Sequence, residues 1–141
     1  LHMDWGENVN YQVKGTKIFY LIDPKYENFM YVSDKFERIS RASKVDLGNL
    51  QLKKFPLFKN VKIFKFVLKP TDAIYIPEGW WHYVEAITPS INVSIHFWRL
   101  KYLFKKLPFE LIKVYLHDWG LYKKKHCACH QIKNGKFIRR G

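Results

Sequence analysis

The chain has 141 residues, 48% hydrophobic and 18% aromatic, which is enough apolar bulk for one packed domain and too much for a disordered segment. No run of roughly eighteen apolar residues indicates a membrane helix, and the two cysteines, Cys127 and Cys129, lie too close in sequence to staple a domain, which favours a reducing intracellular setting, cytoplasmic or nuclear. The formal net charge of +13 is uneven: residues 1–98 carry 13 basic and 10 acidic side chains, whereas residues 99–141 carry 12 basic side chains against Glu110 and Asp118 alone. Such asymmetry suits an anionic partner such as RNA, and a lysine-rich proteome would produce it equally well.

In chain order, His2 and Asp4 stand two positions apart, so a β-strand would point both the same way. Asn10 to Val13 and Lys17 to Ile22 have strand character around Lys14-Gly15-Thr16, whose glycine supplies the positive φ of a tight hairpin, and Asp23-Pro24 stops the second strand. Residues 25–60 read as a long excursion with helical turns near Asp34 to Ser40. Val61 to Leu68, Ala73 to Ile76, Trp81 to Ile87 and Ile91 to Trp98 read as further strands. The last of these sets Ile91, Val93, Ile95 and Phe97 on one face and Asn92, Ser94, His96 and Trp98 on the other. Short strands punctuated by turns at this spacing indicate an antiparallel sandwich or barrel.

After Arg99 the period becomes helical. Leu100, Leu103, Phe104 and Leu107, then Phe109, Ile112, Tyr115, Leu116 and Trp119 form an apolar stripe, with Pro108 in a first turn and Gly120 as C-terminal cap. The stripe is expected to pack on the chain's own barrel, with a homodimer as the lesser alternative. Beyond it, the Lys123-Lys124-Lys125 run and the Asn134-Gly135 pair leave both a hairpin and a disordered tail open. The His126-Cys127-Ala128-Cys129-His130 cluster lacks the usual spacers of a zinc site. At most two of its side chains are expected to share a metal, with a partner such as His117, and a reactive or inert cluster is the preferred reading over zinc.

His-x-Asp alone is a weak signal, and His82 behind Trp80 and Trp81 fits a core histidine equally well. The order of the remaining landmarks is more specific: Asn8, Gln12, Gly15-Thr16-Lys17, Leu21, Pro24, Lys54-Phe55-Pro56, Ile76-Pro77 followed by Trp80-Trp81-His82, then Asn92-Val93-Ser94 with Phe97-Trp98. Over residues 1–98 this resembles the cupin-like JmjC hydroxylases, among them the asparaginyl hydroxylase that inhibits hypoxia-inducible factor, the tRNA wybutosine hydroxylase and the small JmjC protein hydroxylases.

The resemblance implies an all-β core, a double-stranded β-helix (cupin or jelly-roll barrel) that is N-terminally incomplete and leaves a barrel edge unpaired, followed by C-terminal α-helices. It divides the chain into a partial catalytic barrel (1–98), a helical segment (99–120) and a basic Cys/His-containing tail (121–141). It further implies an Fe(II) ion held by His2, Asp4 and His82, and 2-oxoglutarate as co-substrate with its far carboxylate on Lys17. Asn8, His96 and Trp98 are expected beside the co-substrate, His96 standing where the asparaginyl hydroxylase has asparagine. The implied function is hydroxylation of a protein side chain. The alternatives are the same chemistry on a tRNA nucleoside, with the basic tail holding the nucleic acid, or a non-catalytic cupin-like binding domain. The prime substrate is not named by the sequence.

Overall fold

The computed structural model describes all residues except 39, 124, 125, 128, 134, 135, 140 and 141, so Lys124, Lys125 and the Asn134-Gly135 pair lie outside the described residues. Ten strands are defined: β1 (His2–Asp4), β2 (Glu7–Lys14), β3 (Lys17–Ile22), β4 (Ser40–Ala42), β5 (Phe64–Leu68), β6 (Ala73–Ile76), β7 (Trp81–Ala86), β8 (Ile91–Phe97), β9 (His130–Lys133) and β10 (Lys136–Arg139). Two helices, α1 (Leu100–Lys105) and α2 (Leu107–Asp118), lie between β8 and β9. The first eight strands form a five-stranded sheet in the order β4-β1-β7-β3-β5 and a three-stranded sheet in the order β6-β2-β8, antiparallel throughout, while β9 and β10 pair as a separate ribbon. Together the two sheets make the jelly roll.

The two sheets are joined through apolar side chains. Phe19 and Leu21 of β3 and Leu68 of β5 meet Ile76 of β6, with Phe64, Ile74, Trp80 and Val84 packed around them. On the opposite face of the five-stranded sheet, Met3, Ile22 and Trp81 form a second cluster with Met30, Val45, Phe55 and Phe58. The excursion between β3 and β5 supplies those four partners, so this sheet is packed on both faces around Met3, Ile22 and Trp81, while Phe66 and Val67 of its edge strand β5 stay exposed. The three-stranded sheet is covered on one face only. Its other face carries Tyr11, Val13, Tyr75, Ile91, Val93, Ile95 and Phe97, all exposed, and β6 and β8 are its edge strands.

Two local expectations are corrected. The turn at Gly15 (φ 74°) does not close a hairpin, because β2 and β3 lie in different sheets. Instead it carries the chain across a corner. The β2–β8 register shifts between Gln12 and Lys14, and the Gln12 amide donates to the Lys14 and Gly15 carbonyls at 2.6 and 3.2 Å. A side chain at Gly15 would also meet the Pro89 carbonyl at 2.4 Å, so the crossing is open to glycine alone. The helical turns expected near Asp34 to Ser40 are absent among the described residues. Short 3-10 turns occur at Pro24–Phe29 and Pro56–Asn60, each with proline in its first turn, and Ser40 to Ala42 extend because they pair with Asp4, Met3 and His2.

The helical stripe also departs from its expected packing. α1 and α2 begin and end as the sequence indicates, with Gly120 (φ 79°) closing α2 through its N–H to the His117 carbonyl. Phe104, Phe109, Ile112, Tyr115 and Trp119 nevertheless stay exposed, and the side chains that α1 and α2 bury are Tyr102 and His117.

Candidate metal and co-substrate site

Backbone register brings the candidate triad together. His2 pairs directly with His82 across β1 and β7, and Asp4, two residues beyond His2, shares its face. The imidazole rings lie 4.2 Å apart in an edge-on arrangement. His2 Nε2 is 3.9 Å from Asp4 Oδ1, and His82 Nε2 is 3.6 Å from Asp4 Oδ2. One donor atom from each residue thus falls within 4.8 Å of the other two, as one ion bound to all three requires.

The surroundings prepare these groups as ligands. His82 is buried, and its Nδ1 sits 3.1 Å from the Trp80 carbonyl, so that nitrogen carries the proton and Nε2 presents its lone pair to Asp4. Burial first, and the neighbouring His2 imidazole second, push the His82 pKa down to about 4; burial likewise lowers that of His2. Both rings are therefore neutral at pH 7, the state that coordinates a cation. His2 is partly exposed, its side chain 46% accessible against 5% for His82, so the triad opens on the His2 side. The turn that delivers His82 is fixed to the other ligand strand by the Gly79 N–H on the Asp4 carbonyl, at 3.4 Å.

Lys17 lies on the same face of the five-stranded sheet. The β3–β7 register pairs Leu21 with His82, Phe19 with Val84 and Lys17 with Ala86, so Lys17 lies two same-face positions along from the residue opposite His82. It is half-buried.

Across the interior, the three-stranded sheet presents polar groups. Asn8, Asn10 and Gln12 are buried on its inner face. Asn8 Oδ1 accepts from Asn10 Nδ2 at 3.0 Å and from the Ser94 hydroxyl at 2.8 Å, and Ser94 also lies 3.1 Å from His96 Nε2. Asn8 and His96 are direct cross-strand partners. The expected pair therefore shares the inner face, with Asn8 buried and His96 exposed on the edge strand β8. Asn10 and Ser94 were not given a role from the sequence, although the run of amides at positions 8, 10 and 12 was the readable sign of a polar interior. Trp98 stands apart from this group. It is exposed, stacks on Tyr102 with ring centroids 6.2 Å apart, and lies against Gly6, where a side chain would meet its Nε1 at 2.4 Å.

A family model described as a cupin-like domain matches residues 1–100. HSPB1-associated protein 1 of Bos taurus is 37% identical over 99 residues, covering 69% of this chain and 20% of the relative. Jumonji C domain-containing protein 5 of Drosophila melanogaster is 35% identical over 98 residues, covering 70% of this chain and 24% of the relative. JmjC domain-containing protein C of Dictyostelium discoideum is 34% identical over 119 residues, 80% of this chain and 27% of the relative. The chain thus spans about a quarter or less of the length of these relatives. With two facing antiparallel sheets, a convergent His-Asp-His set and a match over residues 1–100, the chain belongs to the cupin-like family that includes the JmjC-domain proteins.

Proposed function

We propose that this chain carries the catalytic barrel of an Fe(II)- and 2-oxoglutarate-dependent oxygenase that hydroxylates a protein side chain. The observation that carries this reading is the register pairing of His2 with His82, which puts two neutral imidazoles and the Asp4 carboxylate around one point. Two histidines and one carboxylate are the donor set of non-haem Fe(II) oxygenases and leave coordination positions free. Iron bound there with 2-oxoglutarate and dioxygen supplies hydroxylation of an unactivated C–H bond, with succinate and carbon dioxide as co-products.

The protein's own groups then have defined tasks. Asp4 supplies the only negative charge among the three ligands, and Trp80, through its carbonyl, holds the His82 ring in the coordinating tautomer. Lys17 holds the far carboxylate of 2-oxoglutarate through a charge-assisted hydrogen bond, which strengthens as water is excluded by Phe19, Phe64 and Ile76. Asn8, Ser94 and His96 offer hydrogen bonds to the same molecule from the opposite wall, and Trp98 steadies the end of β8 where that wall meets the helices. Residues 1–98 make the catalytic unit in this reading, with 99–120 and 121–141 as helical and tail segments. Relatives named for association with another protein support a protein as the substrate class.

Calorimetric titration of 2-oxoglutarate into the Fe(II)- or Mn(II)-loaded protein tests the reading. Binding is expected, together with slow succinate formation that needs iron and oxygen and disappears in His82→Ala. Failure of the loaded protein to bind 2-oxoglutarate overturns the enzyme reading in favour of a binding domain.

A further inference from the structure

A second convergent donor set lies outside the matched region. His117 at the end of α2 meets Cys127, Cys129 and His130, with one donor atom from each within 4.8 Å of all the others. His117 Nε2 is 3.1 Å from Cys129 Sγ and 3.2 Å from His130 Nδ1, and His130 Nδ1 is 3.3 Å from Cys127 Sγ and 3.4 Å from Cys129 Sγ. Bonds of about 2.3 Å to sulfur and about 2.0–2.1 Å to nitrogen put the edges of a zinc tetrahedron at roughly 3.3–3.8 Å. The four atoms are therefore close to the spacing that one Zn(II) imposes.

The ligands are also prepared one by one. His117 is fully buried, and its Nδ1 donates to the Tyr122 carbonyl at 2.6 Å, which fixes the tautomer and turns the Nε2 lone pair toward the two sulfurs. The expectation that at most two of the His126 to His130 side chains share an ion assumes a straight run, and the cluster is not one. The Phe36 amide donates to the His126 carbonyl at 2.7 Å and Phe36 bridges Cys127, which folds the chain back so that Cys127, Cys129 and His130 approach α2 from one side. The Phe36 ring lies on the His117 ring, centroids 4.2 Å apart, and closes the site on its barrel side.

We propose that His117, Cys127, Cys129 and His130 form a structural zinc site that fastens the β9–β10 ribbon and α2 to the barrel. Binding is coordination without redox change: the two thiols lose their protons to solvent and the two thiolates neutralise the dication. All four positions are filled by protein, so the ion holds structure and has no open place for substrate. Its position gives it a further role. Phe36 lies on the segment that leads into β4, and β4 pairs with the strand bearing His2 and Asp4, so the zinc braces one side of the candidate iron site.

The test uses the intact chain purified without chelator. Elemental analysis should find about one zinc per chain. Co(II) added after chelation should give the intense near-ultraviolet thiolate charge-transfer band and the strong visible bands of a tetrahedral site. The same spectrum should appear in His82→Ala, which has lost the iron site, and should vanish in the double variant Cys127→Ser, Cys129→Ser. Should that variant fail to fold, the cobalt spectrum of the wild-type chain still decides, because the His2-Asp4-His82 set contains no thiolate. Zinc-free protein with freely titrating thiols, or a cobalt spectrum lacking the thiolate band, overturns the proposal.

Discussion

The two sheets of the jelly roll solve opposite problems with the same alternating pattern. The five-stranded sheet is apolar on both faces where it is packed, Phe19, Leu21 and Leu68 inward and Met3, Ile22 and Trp81 under the excursion, and it sets His2, Asp4, His82 and Lys17 into that frame. The three-stranded sheet turns Asn8, Asn10 and Gln12 inward and shows Val93, Ile95 and Phe97 to solvent. A charged group among apolar neighbours is an anchor for one ligand, whereas a hydrogen-bonded amide wall is a lining that receives a polar molecule. The proposed function uses both, with the division of labour falling between the sheets.

This contrast can be broken at Lys17. If it is the anchor, Lys17→Ala should raise the 2-oxoglutarate requirement about 10- to 100-fold, the loss of a charged hydrogen bond worth roughly 1.5–3 kcal/mol. Iron binding should stay intact, since Lys17 is outside the donor set. Equal affinity in the variant, measured by calorimetry, would move the anchor elsewhere.

The lining and the outer face separate next. Asn10→Leu removes a buried donor to Asn8 and should cost about 1–3 kcal/mol in urea unfolding. Ile95→Lys on the exposed face of the same sheet should change the stability of this chain by no more than about 0.5 kcal/mol. The reverse ranking would show that the outer face, not the inner one, carries the packing of this sheet.

The smallest effect is in acid stability. The Tyr75 hydroxyl, donating to the Glu7 carboxylate at 2.5 Å, holds Glu7 below its ordinary value of 4.5, and Arg99 adds to this while burial opposes it. A carboxyl group whose folded pKa is depressed contributes stability that is present above 4.5 and lost as pH falls through the lowered value. Melting temperature should therefore fall less steeply in Glu7→Gln than in the parent chain as pH drops from 4.5 through the lowered value. Parallel curves would remove Glu7 from the account of how β2, β6 and the start of the helices hold together.

Much of this was readable from the residues. The strands after residue 60, the helical period after Arg99 and the caps at Pro108 and Gly120 follow from side-chain period and backbone chemistry alone. The pairing of His2 with His82 was an expectation from resemblance, since no local pattern reports contacts between strands this far apart in the chain. Alternation in Ile91 to Trp98 separated two faces and left open which one was inward, because that depends on what the opposite sheet presents. The Gly15 turn read as a hairpin for a related reason: positive φ permits both a reversal and a corner, and only the Gln12 bulge distinguishes them. The Cys127 to His130 cluster depends on Phe36, remote in sequence, and its convergence had no local sign beyond the choice of residues.

The adjacency of β1 and β7 also sets an order of events in time. His2 leaves the ribosome before β2 to β6, and its neighbour in the sheet only after them, so the donor set cannot assemble until all of these strands have been made. Closing so long a loop carries an entropic cost that grows by about 0.6 kcal/mol per doubling of length, and it precedes the contacts that reward it. A three-residue strand with so distant a partner should accordingly be among the late elements to dock, and pulse-labelled hydrogen exchange during refolding should find the Met3 amide protected after those of β3. A cation added early to the refolding mixture would then favour the docked state without hastening the approach to it, shifting the final population more than the rate.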